Sequence, residues 1–263
     1  PVCDLLFGIW NHIFHKVHLM FPGLGTVINV GAILIGSLIG IFIGKKLNDK
    51  LRDLITDVLG CVTVISAADA LTSYWDSSLQ NAMPKGWPIL VIVFSLLVGA
   101  LIGSWLKIED QLETIGIKLK SSLNRTGEST FVEGFVSASL IFVIGPLAIL
   151  GSISDGMGSG IDQLILKSTL DGFTSIAFAA SLGIGVALSS LPVGVYQFAW
   201  TAVGLYLGSI LADYQIAAMT AVGGVLLIGI SLRLLKIKEM AVANLLPALA
   251  IAPFFALLAH QYI

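Results

Sequence analysis

Long runs of apolar residues, separated by short polar segments, fill most of the chain from residue 24 onward. A helix that crosses a bilayer needs roughly 20 mostly apolar residues, whereas membrane barrels show segments of about ten residues with alternating polarity. The runs in this chain are continuous, so the pattern predicts transmembrane helices. Hydropathy along the chain predicts eight spans, at about 24–44, 51–73, 88–106, 131–153, 165–189, 191–211, 215–235 and 242–260.

The predicted fold class is therefore an all-α integral membrane protein, with a single transmembrane domain over residues 24–263. Residues 1–23 are expected to form an N-terminal interfacial segment, because His12, His15 and His18 interrupt its apolar run. Three neighbouring histidines are also compatible with a metal site, but interfacial polar side chains are the favoured interpretation. Composition supports a membrane protein, since only 11% of residues are charged, against about a quarter in soluble domains.

Basic residues support the count of eight spans, since cytoplasmic loops carry an excess of Lys and Arg. With eight spans, all but three of the 14 Lys and Arg residues lie on one side. The break between spans five and six is assigned to residues 189–192, because Pro192 suits the first position of a new helix. Fusing these two spans would divide the basic residues almost evenly. The pattern predicts both termini outside and an amphipathic cytoplasmic connector from Lys107 to about Glu128.

An internal repeat relates the two ends of the domain. At an offset of 164 residues, seven pairs of identical residues coincide: Gly40 and Gly204, Gly44 and Gly208, Leu47 and Leu211, Asp49 and Asp213, Thr56 and Thr220, Val58 and Val222, and Gly60 and Gly224. The match places spans one to three on spans six to eight, and a displacement of five spans makes the two copies cross in opposite directions. Inverted repeats are a recurring plan of secondary transporters, which bind their solute near the membrane midplane.

Helix-breaking residues interrupt the fourth and eighth spans. Gly145 and Pro146 lie within span four, and Pro146 has no N–H to pair with the carbonyl group of Phe142. Unpaired backbone at membrane depth is tolerated only against protein or water, so the bend indicates either a binding feature or a packing kink. Pro247 and Pro253 predict that span eight is irregular too.

Polar residues on span five are the first part of a candidate site. Lys167, Asp171 and Thr174 share one face of the predicted helix by their spacing. Ionisable residues inside a membrane are costly and usually face the bundle interior or a pathway. Two interpretations stay open: these residues line a pathway, or Lys167 and Asp171 simply neutralise each other.

Polar residues of neighbouring spans complete the candidate site. Ser152 and Asp155 follow the break in span four, and Asn29 lies one to two turns into span one. We expect these residues and Asp171 to form an outward-facing polar vestibule between spans one, four and five. Gln197, on span six, is expected to line the other half of the pathway.

These patterns favour membrane transport of a small solute or ion by a secondary transporter with a polar site between spans one, four and five. An ion channel, a non-transporting scaffold or sensor, and a membrane-embedded enzyme are the alternatives. The sequence has no P-loop, nucleophile elbow or Cys and His metal spacing, so we expect no catalytic residue, metal site or cofactor beyond a coupling cation or proton. Expected partners are the lipid bilayer and the solute, with a homo-oligomer left open; the net charge of −2 favours no nucleic acid.

Several segments of the chain carry a resemblance to a known family. They are Gly25-Thr26 with Asn29, the run from Gly145 to Gly156, Lys167-Ser168, Leu170-Asp171-Gly172, the run from Met219 to Gly224, and the run from Asn244 to Leu249. These segments resemble the YqgA/YdfK-like bacterial inner-membrane proteins, domain of unknown function 554 (DUF554). The resemblance covers about residues 24–260 and leaves residues 1–23 as an extension. It implies a multi-pass protein of the bacterial plasma membrane and supplies no settled substrate.

The topology is open to a direct test by cysteine labelling of intact cells. A cysteine at position 120 should resist a membrane-impermeant thiol reagent added outside, because the connector is expected in the cytoplasm. Labelling should appear once the cells are permeabilised. Labelling of intact cells at this position would contradict the predicted orientation.

Overall fold

The computed structural model describes residues 21–123, 130–207 and 211–262, and every regular element in these ranges is helical. Short 3₁₀ turns, Ser73–Trp75 and Val242–Leu245, follow α2 and precede α12. The interfacial segment expected at the N-terminus lies outside the described residues, apart from 21–23. The helices are α1 Leu24–Gly44, α2 Asp49–Thr72, α3 Ser77–Ala82, α4 Trp87–Leu106, α5 Ile108–Ser122, α6 Phe131–Val143, α7 Pro146–Gly156, α8 Asp162–Leu182, α9 Gly185–Leu188, α10 Ser190–Leu207, α11 Asp213–Leu234 and α12 Pro247–Tyr262.

Within the described ranges, six helical segments are long and apolar enough to cross a membrane. A seventh is present if α6 and α7, which are bent by 63° at their junction, count as one span. Helix α8 has 21 residues but is not among them. The six segments are Leu24–Gly44, Asp49–Ala82, Trp87–Leu106, Gly185–Tyr206, Asp213–Leu234 and Val242–Tyr262.

The interruption predicted at Gly145 and Pro146 is present, but its form differs from a kink within one helix. Helix α6 ends at Val143 and α7 begins at Pro146, while Gly145 between them has a φ of +134°. Proline at the first position of a helix sacrifices no hydrogen bond, because that N–H has no partner within the helix anyway. Pro247 likewise opens α12, whereas Pro253 lies inside that helix.

The predicted break between spans five and six is wrong in position. Helix α8 ends at Leu182, and Gly183 has a φ of +82°, a left-handed conformation that glycine adopts readily. The short α9 then leads into α10 at Ser190, so Pro192 is the third residue of α10 rather than its first. The sequence prediction used a proline to locate the break between the two spans. In the structure, the left-handed conformation of Gly183 ends α8 instead.

The helix ends fall on two opposite faces of the bundle. On one face, the Ser181 hydroxyl donates to the Arg52 carbonyl group at 2.8 Å, and Lys236 lies 3.0 Å from Asp53. These contacts bring together the end of α8, the start of α2 and the end of α11. We call this the basic face because it carries most of the described Lys and Arg residues: Lys45, Lys46, Lys50, Arg52, Lys107, Lys118, Lys120, Arg233, Lys236 and Lys238.

The opposite face holds the start of α1 and the ends of α7 and α12. The backbone N–H of Gly25 donates to Asp155 at 3.0 Å, which joins α1 to α7. His260 Nδ1 lies 2.7 Å from the carbonyl oxygen of Ala82, which joins α12 to α3. Lys85 also lies on this face, in the turn between α3 and α4.

Helix α5 is the amphipathic connector that the sequence predicts, and a buried ion pair fixes it to the basic face. The Glu109 carboxylate accepts from Arg233 at 2.5 Å and from the backbone N–H of Ala243 at 2.7 Å. The backbone N–H of Glu109 in turn donates to the Asn244 side chain at 2.9 Å. Because each charge has a partner, this pair can stay buried where α4, α5, α11 and α12 meet.

Helices α1 and α8 form the closest seam in the bundle and run in the same direction. Gly36, Gly40 and Gly44 on α1 face the carbonyl oxygens of Gly172, Ile176 and Ala180 on α8, each pair one turn further along. A Cβ atom at any of these glycines would overlap the facing carbonyl oxygen. Small residues at a spacing of four therefore allow backbone-to-backbone packing in the membrane, as the sequence pattern indicates.

Replacing Gly40 by alanine tests this seam. The added Cβ would overlap the carbonyl oxygen of Ile176, so Gly40→Ala should destabilise the protein by about 1–3 kcal/mol. Thermal unfolding of the purified protein in detergent measures the change. Gly31→Ala is the matched control, because a Cβ there meets nothing within 4 Å. Equal unfolding temperatures for the two variants would contradict the close approach of α1 and α8.

Candidate functional site

A buried ion pair lies at mid-length of α8. Lys167 Nζ is 2.7 Å from Asp171 Oδ2, and both side chains are at most one-tenth exposed. The two residues are four apart and so occupy the same face of the helix, with Asp171 one turn further in. The interpretation that Lys167 and Asp171 neutralise each other therefore holds in this structure.

Two amides from other helices extend the ion pair into a network. Asn29 Nδ2, on α1, donates to Asp171 Oδ2 at 3.0 Å and to Gln197 Oε1, on α10, at 3.3 Å. Asn29 and Gln197 are both fully buried. We call these four residues, Asn29, Lys167, Asp171 and Gln197, the polar cluster. It joins three helices and carries no net charge when Lys167 and Asp171 are both ionised.

Asp155 has a different role from the one that the sequence suggested. Its Oδ2 accepts the backbone N–H of Gly25 at 3.0 Å, in the first turn of α1. The residue that precedes α1 is Gly23, which has no side chain to cap the helix. Asp155 on α7 therefore supplies the missing acceptor and places negative charge at the positive end of α1. Among the described hydrogen bonds, none joins Asp155 to Asp171, so their shared vestibule stays a prediction.

Three other expected site residues are also placed differently. Gln197 contacts Asn29 instead of lining a separate half of the pathway, because the middle of α10 lies beside the first turns of α1. Ser152 donates its hydroxyl to the Ala148 carbonyl group within α7, at 2.7 Å. Thr174 is half-buried, and in the described part of the chain it makes none of the hydrogen bonds that join the polar cluster.

Buried hydroxyl groups continue the polar surface on α1 and α8, and the sequence analysis did not single them out. Thr26 Oγ1 lies 3.5 Å from Thr201 Oγ1, between α1 and α10. Ser37 and Ser175 are both fully buried, and their hydroxyls have no hydrogen-bond partner among the described residues. Thr26, Asn29 and Ser37 fall on one face of α1 by their spacing, a signal that could have been found.

The polar cluster is buried, and a polar cavity lies on the basic face. This cavity has a volume of about 570 Å³, and α1, α2, α6 and α8 contribute to its walls. It reaches Ala179, eight residues beyond Asp171, which is roughly 12 Å along α8. None of the four residues of the polar cluster lines this cavity, and the outward-facing vestibule stays a prediction. Polar residues lining the cavity include Asp49, Arg52, Thr56, Glu133, Ser181 and Lys236.

The described residues offer no set of metal ligands. Within residues 21–123, 130–207 and 211–262, there is no group of three or more His, Cys, Asp or Glu side chains that could hold a metal ion. The polar cluster carries one ammonium, one carboxylate and two amide groups, which suit hydrogen bonding to a polar molecule.

Comparison with known proteins agrees with a membrane fold. The sequence profile of a family described as "Protein of unknown function (DUF554)" matches residues 24–257. "Uncharacterized membrane protein YdfK" of Bacillus subtilis (strain 168) is 30% identical over 238 residues, which cover 90% of this chain and 97% of that protein. "Uncharacterized protein YqgA" of Escherichia coli (strain K12) is 35% identical over 170 residues, 61% of this chain and 70% of that protein. No solved structure matches the chain.

The ion pair of the polar cluster predicts a specific pattern of stability. Lys167→Met should destabilise the protein by about 3–5 kcal/mol, because it leaves the Asp171 carboxylate buried without its cation. Adding Asp171→Asn should recover most of that loss, because it removes the uncompensated charge. Thermal unfolding in detergent measures both effects, and Lys85→Met, at an exposed position, is the control. A double variant as unstable as Lys167→Met alone would show that charge compensation is not what Lys167 provides.

Proposed function

The chain belongs to the DUF554 family of proteins of unknown function, and we propose that it is a secondary transporter of a small solute or ion in a bacterial plasma membrane. The observation that carries this proposal is the polar cluster, a charged and amide-bearing group buried at mid-length of α8. Ionisable residues at such a depth are rare because burying a charge in a membrane costs free energy, and they usually mark a substrate or ion route. If α8 served only a structural purpose, burying an apolar residue at the position of Asp171 would cost less free energy than burying the carboxylate.

The arrangement of helix ends supports eight crossings. Helix α8 starts beside the opposite face and ends on the basic face, where Thr130 Oγ1 donates to the Leu182 carbonyl group at 3.2 Å. Helix α10 returns from there, and α6 with α7 leads from Thr130 to Asp155. Counting the bent pair and α8 with the six apolar segments gives the eight spans that the sequence predicts. The excess of Lys and Arg on the basic face supports a cytoplasmic position for it, with both termini outside.

Contacts between α2 and α11 support an inverted repeat at the offset of 164 residues. A Cβ built on Gly60 would lie 2.7 Å from Leu235 Cγ, and one built on Gly224 would lie 2.9 Å from Leu71 Cγ. Gly60 and Gly224 correspond at this offset, and so do Leu71 and Leu235, so each contact is the counterpart of the other. Reciprocal contacts of this kind are expected of two units related by a two-fold axis.

A further contact supports a two-fold axis beside the polar cluster. Residues Val30 and Gly194 correspond at the same offset, and a Cβ on Gly194 would lie 3.1 Å from Val30 Cγ2. A residue that touches its own counterpart lies on the axis. Asn29 is the neighbour of Val30 in the chain, so the proposed site lies at the interface between the repeats, where inverted-repeat transporters bind their solutes.

The closed state of the polar cluster favours a transporter over a channel. A channel needs a continuous polar route when open, whereas a transporter exposes its site to one side at a time. In this structure the four side chains of the cluster are buried, and the polar cavity on the basic face ends at Ala179, eight residues along α8 from Asp171. This geometry fits a transporter whose site is closed to the outside, with a polar cavity on the inner side. An ion channel is therefore the second candidate.

Flux through reconstituted vesicles tests the proposal. The variant Lys167→Met with Asp171→Asn removes both charges of the cluster without leaving either one unpaired. It should fold, yet lose the uptake that the unaltered protein gives with a panel of radiolabelled small solutes and inorganic ions. A loss of about 100-fold is expected if binding at the cluster is required, because two charge-assisted contacts are removed together.

Asp69→Asn with Lys85→Met is the matched control for this experiment. It deletes the same chemical groups at exposed positions outside the polar cluster, so it should leave uptake unchanged. Uptake that survives the loss of Lys167 and Asp171 would contradict the proposed site. Absence of uptake for every member of the panel with the unaltered protein would contradict transport itself.

A further inference from the structure

The orientation of two amide groups in the polar cluster is fixed by the Asp171 carboxylate. An ionised carboxylate only accepts hydrogen bonds, so Asn29 has to turn its NH₂ group, not its oxygen, towards Asp171. The same NH₂ group donates to Gln197, which therefore has to present its carbonyl oxygen. The negative charge of Asp171 therefore sets the direction of the hydrogen bonds that link it to Asn29 and Gln197. It also identifies the oxygen and the nitrogen of each amide, which atomic positions alone leave ambiguous.

This orientation leaves one acceptor and one donor without partners. Asn29 Oδ1 and Gln197 Nε2 are buried, and neither has a hydrogen-bond partner among the described residues. A buried polar group left in that state costs about 1–3 kcal/mol. Ser175, one turn beyond Asp171 on α8, has a buried hydroxyl in the same condition, and so does Ser37 on α1. Helices α1, α8 and α10 thus all contribute unpaired polar atoms to the interior of the bundle.

The charges around these atoms select among ligands. Asp171 already accepts from Lys167 and Asn29, and Asp155 already accepts from the first turn of α1. A cation at the cluster would have to displace the Lys167 ammonium group or sit beside it, and like charges repel strongly in a medium of low dielectric constant. For an anion, the Lys167 ammonium group is already neutralised by Asp171. A neutral molecule meets neither obstacle.

We propose that the polar cluster binds a small uncharged solute that carries a hydrogen-bond donor and a carbonyl or hydroxyl acceptor, such as a primary amide. The donor of the solute pairs with Asn29 Oδ1, and its acceptor pairs with Gln197 Nε2. The hydroxyls of Ser37 and Ser175 lie towards the basic face and receive the solute as it leaves for the polar cavity. This assignment rests on the proposed transport function and names its class of substrate.

Stopped-flow light scattering from protein-containing vesicles tests the inference. Vesicles that hold the full chain should swell faster than protein-free vesicles in acetamide or urea, because entry of a neutral solute draws in water. Gln197→Met removes the donor without burying a charge, so swelling should slow by about tenfold or more. Gln163→Met, at an exposed position of α8, should leave the rate unchanged. Size-exclusion chromatography verifies that both variants are folded.

Tracer uptake of ²²Na⁺, ⁸⁶Rb⁺ and ³⁶Cl⁻ by the same vesicles separates failure of the inference from failure of the proposed function. Uptake of a cation or of chloride that depends on Asp171, with no faster entry of acetamide or urea, would overturn the neutral-solute assignment and leave transport standing. Neutral-solute entry that is unchanged in Gln197→Met would also overturn the assignment. If the protein accelerates none of these solutes, the transport function fails together with the inference.

Discussion

An ionised carboxylate in the hydrocarbon region of a bilayer is stable only when protein groups replace its lost water, and Asp171 imposes this requirement on the bundle. Lys167 meets part of it from the same helix, and Asn29 meets another part from α1. Asn29 can reach Asp171 because the glycines of α1 let the two backbones touch. The close seam, the buried face of α8 and the burial of Gln197 are therefore parts of one solution to the same electrostatic problem.

The protein contains a second buried ion pair, and the two pairs differ in how completely the polar groups around them are satisfied. Glu109 and Arg233 lie where helices end on the basic face, and backbone groups of the 3₁₀ turn complete the coordination of the Glu109 carboxylate. That pair fixes an interfacial helix to the bundle. The pair at Lys167 lies at mid-length of a helix instead, and the amides around it keep polar atoms unsatisfied. Incomplete satisfaction at depth is expected of a site that exchanges partners.

Sequence periodicity could place most of the helices because hydropathy is a local property. The bounds of α1, α4 and α11 lie within a few residues of the expected spans, and the break at Gly145 was visible as a Gly-Pro pair. The site was harder, since its contacts join residues more than a hundred positions apart. Asp155 pairs with the backbone of α1, which no side-chain pattern records. On α8, Ser175 is fully buried whereas Thr174 is only half-buried, because one position is a rotation of about 100°.

The charges of α8 also have a consequence for how the chain enters the membrane during synthesis. A central Asp opposes insertion of an isolated helix by about 2.5–3.5 kcal/mol, and α8 carries Lys167 in addition. The helix that shields Asp171 is α1, which leaves the ribosome about 140 residues earlier. At usual elongation rates that interval is on the order of ten seconds. During this interval α1 has to remain in the bilayer with no helix packed against its glycines. Helix α8 then inserts against α1 rather than as an isolated helix.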